Sequence, residues 1–286
     1  MSLSVPSEMT ATAQRRTYAG VPADILTGIQ TASARTGMDF SYLLAQAKLE
    51  SGYDAGAKAA TSSARGLYQF IEQTWLKMVK DHGAEHGVGN LADAITKGAD
   101  GRMKVADAAT RKTILDLRHD PTLSALMGAE FASDNKAYLE RRLTRPVNST
   151  DLYMAHFLGA GGASRFLAAL DRSPASSAAA LLPEAAASNP NVFYDKAGKP
   201  RSVKDIYARF AGKLEAAGAT ASAVITAQAE ATVDTAVAIG SQIGRGLASV
   251  AGSIGRAFGP GLSADTVLAL AALPMPGEKA EGKPGS

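Results

Sequence analysis

Apolar residues recur at helical intervals along most of this chain. From Val21 to about Gly212 they fall three and four positions apart, with short breaks of glycine, proline and serine, and no segment alternates convincingly between apolar and polar positions. Residues 81 to 113 are more polar and weakly periodic, which indicates loops and short helices inserted between better-defined helical regions. The pattern predicts a mainly α domain over residues 21 to 215, with little β-structure.

The two ends of the chain differ from this domain. Residues 1 to 20 are polar and aperiodic, which predicts a disordered arm. Residues 216 to 286 are rich in alanine, glycine and serine, which predicts a flexible low-complexity tail. Residues 236 to 254 are moderately apolar, but Gln242 and Arg245 interrupt them and large apolar residues are few. This segment is therefore better interpreted as a linker than as a transmembrane span.

The charge argues against some classes of function, and the cysteine content excludes others. The 30 basic and 27 acidic side chains give a formal net charge of +3, without the concentrated basic patch that is typical of nucleic-acid binding. The absence of cysteine excludes disulfides, thiolate metal sites and cysteine nucleophiles. Arg15 and Arg16 are not followed by the apolar segment of a conventional signal peptide, so the route of export is not defined. We expect a monomer without a cofactor, whose slight positive charge suits an anionic polymer.

One glutamate lies on the apolar face of a predicted helix. The spacing of apolar residues predicts a helix from about Asp39 to Ser51 that ends at Gly52, since glycine is common just after helix C-termini. Glu50 follows Ala47 by three positions, so its carboxyl group is directed inward. Partial removal from water and the negative end of the helix dipole suit a general acid, which must hold a proton before it reacts. An isolated glutamate would more often cap the helix or pair with a lysine.

Three motifs that are separated along the chain indicate that Glu50 is part of a larger functional pattern. They read Glu50-Ser51-Gly52, then Thr61-Ser62-Ser63-Ala64-Arg65-Gly66-Leu67-Tyr68-Gln69-Phe70-Ile71, and then Tyr153-Met154-Ala155-His156-Phe157-Leu158-Gly159. In this order they resemble the soluble lytic transglycosylase family, whose hallmarks are a Glu-Ser pair, a Gly-Leu-x-Gln element ahead of a helix and a tyrosine motif that ends in glycine. The resemblance covers about residues 21 to 172 and implies a lysozyme-like fold.

The resemblance also implies roles for particular residues. Glu50 matches the family's catalytic acid/base, and Tyr153 matches the tyrosine that lies against this carboxylate. Gln69 matches a glutamine that lines the substrate cleft, Ser51 matches the residue beside the glutamate, and Ser63 would lie in the loop at the cleft edge. The reaction implied is cleavage of the bond between N-acetylmuramic acid and N-acetylglucosamine in peptidoglycan, with closure of a 1,6-anhydro ring, in the periplasm or cell envelope.

Two departures from the family pattern indicate a divergent subgroup. The third motif commonly reads Tyr-Asn-Ala-Gly, whereas Ala155, His156 and Phe157 separate the tyrosine region from its glycine here. The loop before Gly66 is of a Thr-Ser-Ser-Ala type rather than the more usual Gly-Ala type. Such a subgroup could differ in its preference for glycan strand or crosslink.

Two alternative functions stay open at this point. A hydrolase of related fold, a muramidase or chitinase, needs a second carboxylate, for which Glu130 and Asp134 on an inward helical face are the candidates. Both acids are more simply explained as structural partners of a neighbouring helix end or an arginine. The other alternative is a protein associated with a secretion or flagellar machinery and recruited through its tail, although the intact Glu50 argues against a loss of catalysis.

Two further patterns concern metals and the Gln69 region. His82 and His86 have the spacing of a helical zinc pair, but adjacent glycines weaken a helix and no third ligand is evident, so the sequence predicts no metal. An apolar stripe predicts that a buried helical face begins at Leu67, with Gln69 off this face, where it could hydrogen-bond a sugar amide. On the same stripe Trp75 is interpreted as a core residue rather than as a sugar-stacking platform. The members of the stripe are Leu67, Ile71, Trp75 and Met78.

Overall fold

A computed structural model describes Thr17, Tyr18 and residues 20 to 227 of the protein. Most of the expected N-terminal arm and the tail beyond residue 227, with its segment 236 to 254, lie outside the described residues. Within the described part the chain is mainly helical and its strands are few and short, which confirms the predicted class. None of the helices described is long and apolar enough to cross a membrane.

The described elements follow one another as helices joined by short connections and two small antiparallel hairpins, β1 with β2 and β3 with β4. In chain order they are β1 (Thr17–Tyr18), β2 (Val21–Pro22), α1 (Ala23–Thr36), α2 (Phe40–Ser51), α3 (Glu72–His82), α4 (Gly89–Asp93), β3 (Ile95–Lys97), β4 (Met103–Val105), α5 (Ala108–Asp116), a 3-10 turn (Leu117–His119), α6 (Pro121–Glu140), α7 (Ser149–Arg172), α8 (Ala178–Leu181), α9 (Pro183–Ser188), α10 (Pro190–Phe193) and α11, which is helical from 203 to 227.

Helix α6 is the centre of the fold. The Asp120 side chain caps its first turn by accepting a hydrogen bond from the Leu123 amide at 2.6 Å, and Pro121 occupies the first helical position, where no amide donor is needed. Helices α1, α2, α3 and α7 all contact α6, which explains why its apolar residues extend nearly all round it. The approach of α1 is close, because a Cβ atom on Gly28 would lie 3.0 Å from the Pro121 carbonyl oxygen.

Helix α11 contributes to both hydrophobic clusters of the interior. The first cluster is built mainly from α1, α2, α3 and α6, and the second lies between α7 and the short helices that follow it. From α11 the first receives Leu214, Ala217, Ala221 and Val224, and the second receives Val203, Ile206 and Phe210. The predicted boundary between residues 215 and 216 therefore falls inside a helix whose buried face continues to Val224.

The chain ahead of α3 differs from the prediction. Because α3 begins at Glu72, the helix predicted from Leu67 is wrong over its first turn. The chain turns there instead, since Gly66 and Gln69 have φ angles of 78° and 48°, which a right-handed helix does not accommodate. Ile71, expected to be buried, is 48% exposed.

Residues 81 to 113 consist of short elements, as predicted, and part of this region packs on α3. The Gln73 side chain accepts a hydrogen bond from the Met103 amide at 2.9 Å. Trp75 is fully buried, and its indole nitrogen donates to the Ile114 carbonyl at 2.7 Å. Trp75 is therefore a core residue, which confirms that interpretation and removes it from the candidates for sugar stacking.

Candidate active site

Glu50 lies in the last turn of α2, where the sequence predicted it. The Asp39 side chain caps the start of this helix by accepting a hydrogen bond from the Tyr42 amide at 2.7 Å. Gly52 ends the helix with a left-handed φ of 62°, a conformation that glycine adopts at little cost. The Glu50 side chain is 17% exposed. Its carboxyl group is therefore partly withdrawn from water but still accessible.

Two side chains of α7 meet this carboxyl group. The Nε2 atom of His156 lies 3.1 Å from the Oε1 atom of Glu50, and the Tyr153 hydroxyl donates a hydrogen bond to the same side chain. Burial raises the pKa of Tyr153 above its usual value, and the neighbouring Glu50 charge and the hydrogen bond to it act in the same direction. Tyr153 and His156 are three residues apart on one helical face, and their rings stack with an interplanar angle of 9°. The structure thus brings the predicted Tyr153 to Glu50.

A glutamine of α2 holds the far side of the imidazole. The Gln46 side chain is almost fully buried, and its Nε2 atom lies 3.0 Å from the Nδ1 atom of His156. The Gln46 carboxamide and Nδ1 are hydrogen-bonded, which holds the ring in position with Nε2 facing Glu50. The imidazole therefore lies between two residues of a single helix. Sequence reasoning missed both His156 and Gln46.

The start and the break of α7 explain how Tyr153 and His156 are presented. Asn148 and Asp151 form a capping box, in which each side chain accepts a hydrogen bond from the backbone amide of the other at 3.0 Å. The helix is interrupted at Gly159, whose φ of 70° and ψ of 157° are accessible mainly to glycine. The glycine that ends the third motif therefore interrupts the helical turn just after His156.

The second motif forms a tight turn against the body of the domain. Gly66 is required there, because a Cβ atom would lie 1.9 Å from the Arg118 carbonyl oxygen. Gln69 donates from its side-chain nitrogen to the carbonyl oxygens of Gly66 at 2.9 Å and Ala57 at 3.3 Å. The prediction that Gln69 is helical is wrong, because the residue has a positive φ and its NH₂ group closes this turn, whereas its contact with a glycan stays a prediction.

The two predicted serines make contacts with the backbone. The Ser51 hydroxyl lies 2.8 Å from the Leu67 carbonyl oxygen and ties the end of α2 to the turn of the second motif. Ser63 is exposed, and its hydroxyl oxygen accepts a hydrogen bond from the Glu72 amide at the start of α3 at 3.3 Å. Ser51 therefore links Glu50 to the second motif, whereas Ser63 is joined to α3.

The two acids considered for a second carboxylate pair with histidines instead. The Oε1 atom of Glu130 lies 2.8 Å from His86 Nε2, and the Oδ2 atom of Asp134 lies 3.1 Å from His82 Nε2. These contacts join α6 to the end of α3 and the turn after it. They support the structural interpretation of both acids, although with histidines as partners rather than an arginine.

Three surface cavities lie near the described helices. One of about 590 Å³ lies beside the chain after α2 and is lined in part by Tyr53 and His119. Another of about 590 Å³ lies next to Phe157, and one of about 370 Å³ lies between α2 and α11, with Tyr42 in its lining. Glu50 is not among the residues that line these three cavities.

No protein-family model matches this chain. The assignment of a function therefore depends on the motifs in the sequence and on the geometry around Glu50.

Proposed function

We propose that this protein is a lytic transglycosylase of lysozyme-like fold that cleaves the glycan strands of peptidoglycan, with Glu50 as its single acid/base. The observation that carries the proposal is the contact of the Glu50 carboxyl group with both Tyr153 and His156 of the third motif. Motifs that are about a hundred residues apart in the chain meet at one partly exposed carboxyl group, as a catalytic acid requires.

The first step is protonation of the leaving oxygen. His156 faces Oε1, so we assign the transferable proton to the other oxygen of Glu50. Transfer of this proton to the oxygen between N-acetylmuramic acid and N-acetylglucosamine breaks the bond to the muramic C1 and releases the 4-hydroxyl of the leaving sugar. The N-acetyl group of the muramic residue stabilises the positive charge that develops at C1.

The second step closes the ring and restores the enzyme. Glu50, now a carboxylate, takes the proton of the muramic 6-hydroxyl while that oxygen bonds to C1. No water is consumed, and the carboxyl group regains the proton that it gave. This sequence needs only one carboxylate, in agreement with the pairing of Glu130 and Asp134 to histidines.

Tyr153 and His156 act on this carboxyl group as positioning residues. Both donate to Glu50, so they fix its rotamer and stabilise the carboxylate formed after the first proton transfer. Gln46 holds the His156 ring in the orientation that directs Nε2 at Glu50. This support sets the direction in which the second carboxyl oxygen meets the substrate.

The remaining predicted residues shape the substrate surface. The amide nitrogen of Gln69 is engaged by backbone carbonyls, which leaves its carboxamide oxygen as the atom for a glycan contact. Ser51 maintains the link between α2 and the same turn. The exposed Ser63 would contact the strand at the edge of the cleft. We place the protein in the periplasm or cell envelope, where its substrate is, and assign recruitment by a secretion or flagellar machinery to the predicted tail.

Digestion of purified sacculi followed by mass spectrometry tests the reaction. We expect products that carry 1,6-anhydro-muramic ends and are one water lighter than hydrolysis products, and we expect none from the Glu50→Gln variant. Products that carry an added water would replace the proposal with a muramidase. Absence of any cleavage by the folded protein would remove the enzymatic assignment.

A further inference from the structure

A cluster of histidines and carboxylates joins α3 to α6 away from the contacts of Glu50. His82 ends α3, Glu85 and His86 lie in the turn after it, and Glu130 and Asp134 lie one turn apart on α6. The side chains of His82 and Glu130 are 17% and 14% exposed, so the cluster is largely withdrawn from water. This folding supplies the acidic ligands that the sequence did not reveal beside the two histidines.

We propose that His82, Glu85 and Glu130 bind a divalent metal ion of the zinc class. One ligand atom from each of the three residues lies within 4.8 Å of the others. The Nδ1 atom of His82 and the Oε2 atom of Glu130 are 3.6 Å apart, a separation that two bonds of about 2.1 Å to a shared ion span at a near-tetrahedral angle. Glu85 is exposed and brings a third ligand from the solvent side.

The neighbours of these ligands match the outer shell of a metal site. A histidine that binds a metal through one ring nitrogen usually donates from the other to a carboxylate, and His82 Nε2 lies 3.1 Å from Asp134 Oδ2. The second oxygen of Glu130 is held in turn by His86 Nε2 at 2.8 Å. Asp134 and His86 therefore orient the two inner ligands and leave His82 Nδ1 and Glu130 Oε2 directed at each other.

A buried nitrogen in the same cluster has no partner. The His86 side chain is only 3% exposed, and its Nδ1 atom has no hydrogen-bond partner among the described residues. Its Nε2 atom lies 2.8 Å from the Oε1 atom of Glu130, so the buried ring fixes the position of this carboxyl group beside the proposed ion.

The donor set selects the class of ion. One imidazole nitrogen with two carboxylate oxygens suits zinc and related transition ions, whereas magnesium and calcium prefer oxygen ligands alone. Three protein ligands leave a further position for water. Because the ligands come from the end of α3, the following turn and α6, a bound ion would stabilise the packing of these elements against each other.

Titration of the full-length, tag-free protein with zinc chloride tests this site. We expect one ion per chain by calorimetry, a rise in Tm on binding, and the absorption bands of a low-coordinate site when cobalt replaces zinc. His82→Gln and Glu85→Gln should each weaken binding by at least about a hundredfold, and Asp134→Asn by about tenfold. Glu85 is exposed, so Glu85→Gln keeps the test informative if His82→Gln fails to fold.

Asp81→Asn is the matched control, because Asp81 is an exposed acid next to His82 whose ion-pair partner is Lys77. We expect it to bind zinc like the unmodified protein. The proposal is overturned if the unmodified protein does not bind zinc, if calcium or magnesium binds as tightly, if either Glu85→Gln or folded His82→Gln binds unchanged, or if Asp81→Asn weakens binding as much as Glu85→Gln. These measurements need no glycan substrate, so their failure is distinct from failure of the proposed enzymatic function.

Discussion

The imidazole of His156 lies 3.1 Å from the Glu50 carboxyl group, and the same ring contacts Gln46 one helical turn earlier on α2. A single side chain of α7 therefore joins two residues on the same face of α2. Because Gln46 is almost fully buried, its side chain has little freedom to move and restricts the orientation of the His156 ring. The rotamer of Glu50 thus depends on the packing of α7 against α2.

Replacement of Glu50 by glutamine tests the centre of the mechanism. The amide keeps the size of the side chain but has neither the transferable proton nor the later base, so release of muropeptides from sacculi should fall by at least about a hundredfold. The circular dichroism spectrum and Tm should be close to those of the unmodified protein. Glu130→Gln and Asp134→Asn are the controls, and they should keep most of the turnover. Near-normal turnover by Glu50→Gln would exclude Glu50 as the acid/base.

Replacement of His156 by glutamine tests the positioning role. We expect kcat to fall by about tenfold or more with little change in KM, because an interaction that orients the acid in the transition state is lost. The pH–rate profile should also change shape, which a purely structural role would not cause. His119→Gln is a matched control, since His119 contacts the Ala55 carbonyl instead of Glu50.

Gln46 provides a second check on this arrangement. Gln46→Leu keeps a similar volume but releases Nδ1 of His156, so it should lower kcat less than His156→Gln does. In the double variant the two effects should not add, because both act through the same ring. Additive losses would show that Gln46 and His156 act independently.

The position of Glu50 could be predicted from local rules. A three-residue spacing from Ala47 places Glu50 on the apolar face, and Gly52 marks the end of the helix. The contact with Tyr153 followed from the resemblance of the motifs. His156 had a usable signal, since it lies three residues after Tyr153 and so on the same helical face.

Other features could not be predicted because they depend on packing between distant segments. The pairing of His86 with Glu130 exists only because α3 lies against α6. The turn at Gln69 was missed because a positive φ at a residue other than glycine is uncommon, and the apolar spacing around it imitates a helix. The alanine-rich composition after residue 215 concealed a helix whose small residues are buried.

Truncation of the chain distinguishes the folded end of the domain from the predicted tail. A chain that ends at residue 227 should keep the Tm and the turnover of the full-length protein. A chain that ends at residue 215 loses the buried Ala217, Ala221 and Val224 and the hydrogen bond from Lys48 to Thr220, so its unfolding free energy should fall by about 3 kcal/mol. Urea denaturation gives the unfolding free energy of both truncated chains. Equal stability of the two truncated chains would contradict the role of α11 in the core.

Two buried tyrosines differ in whether the hydroxyl group has a hydrogen-bond partner. Removal of the hydroxyl should therefore change the unfolding free energy differently at the two positions. The Tyr68 hydroxyl donates to the Leu43 carbonyl at 3.0 Å, whereas the buried Tyr53 hydroxyl has no hydrogen-bond partner among the described residues. Tyr68→Phe should therefore lower the unfolding free energy by about 1 kcal/mol, and Tyr53→Phe should leave it unchanged or raise it. Urea denaturation at neutral pH gives the comparison. A larger loss for Tyr53→Phe would contradict it.

Alkaline pH offers a separate test of the same residues. Burial raises the pKa of Tyr53 to about 12 and raises that of Tyr68 well above the usual value of about 10. The raised values contribute stability that is fully present below pH 10 and is lost as pH rises through the folded-state pKa, because the unfolded chain releases these protons first. The unfolding free energy should fall above pH 10, with phenolate absorbance rising as the chain unfolds. Tyr53→Phe should make this fall less steep.

The buried carboxylate at the start of α7 should be the most sensitive charged position for stability. Asp151 is fully buried, and its oxygens accept hydrogen bonds from Arg145 at 2.6 and 3.0 Å and from the Tyr207 hydroxyl of α11 at 3.0 Å. Asp151 also raises the pKa of Arg145, mainly through these hydrogen bonds, so the guanidinium stays charged. Asp151→Asn should lower the unfolding free energy by about 3 kcal/mol, because it leaves the guanidinium without its buried partner and weakens the capping box.

Asp171→Asn is the control for this substitution, since Asp171 contacts the same Arg145 at 3.5 Å but is 41% exposed. An exposed ion-pair partner contributes little to stability, so Asp171→Asn should lower the unfolding free energy by less than about 1 kcal/mol. Tyr207→Phe should fall between the two, because it removes the hydrogen bonds of this hydroxyl with Asp151 and Asn148 and leaves the ion pair intact. Urea denaturation of the three variants gives the order. If Asp171→Asn is as damaging as Asp151→Asn, the stabilisation comes from the net charge around Arg145 rather than from the buried, hydrogen-bonded pair.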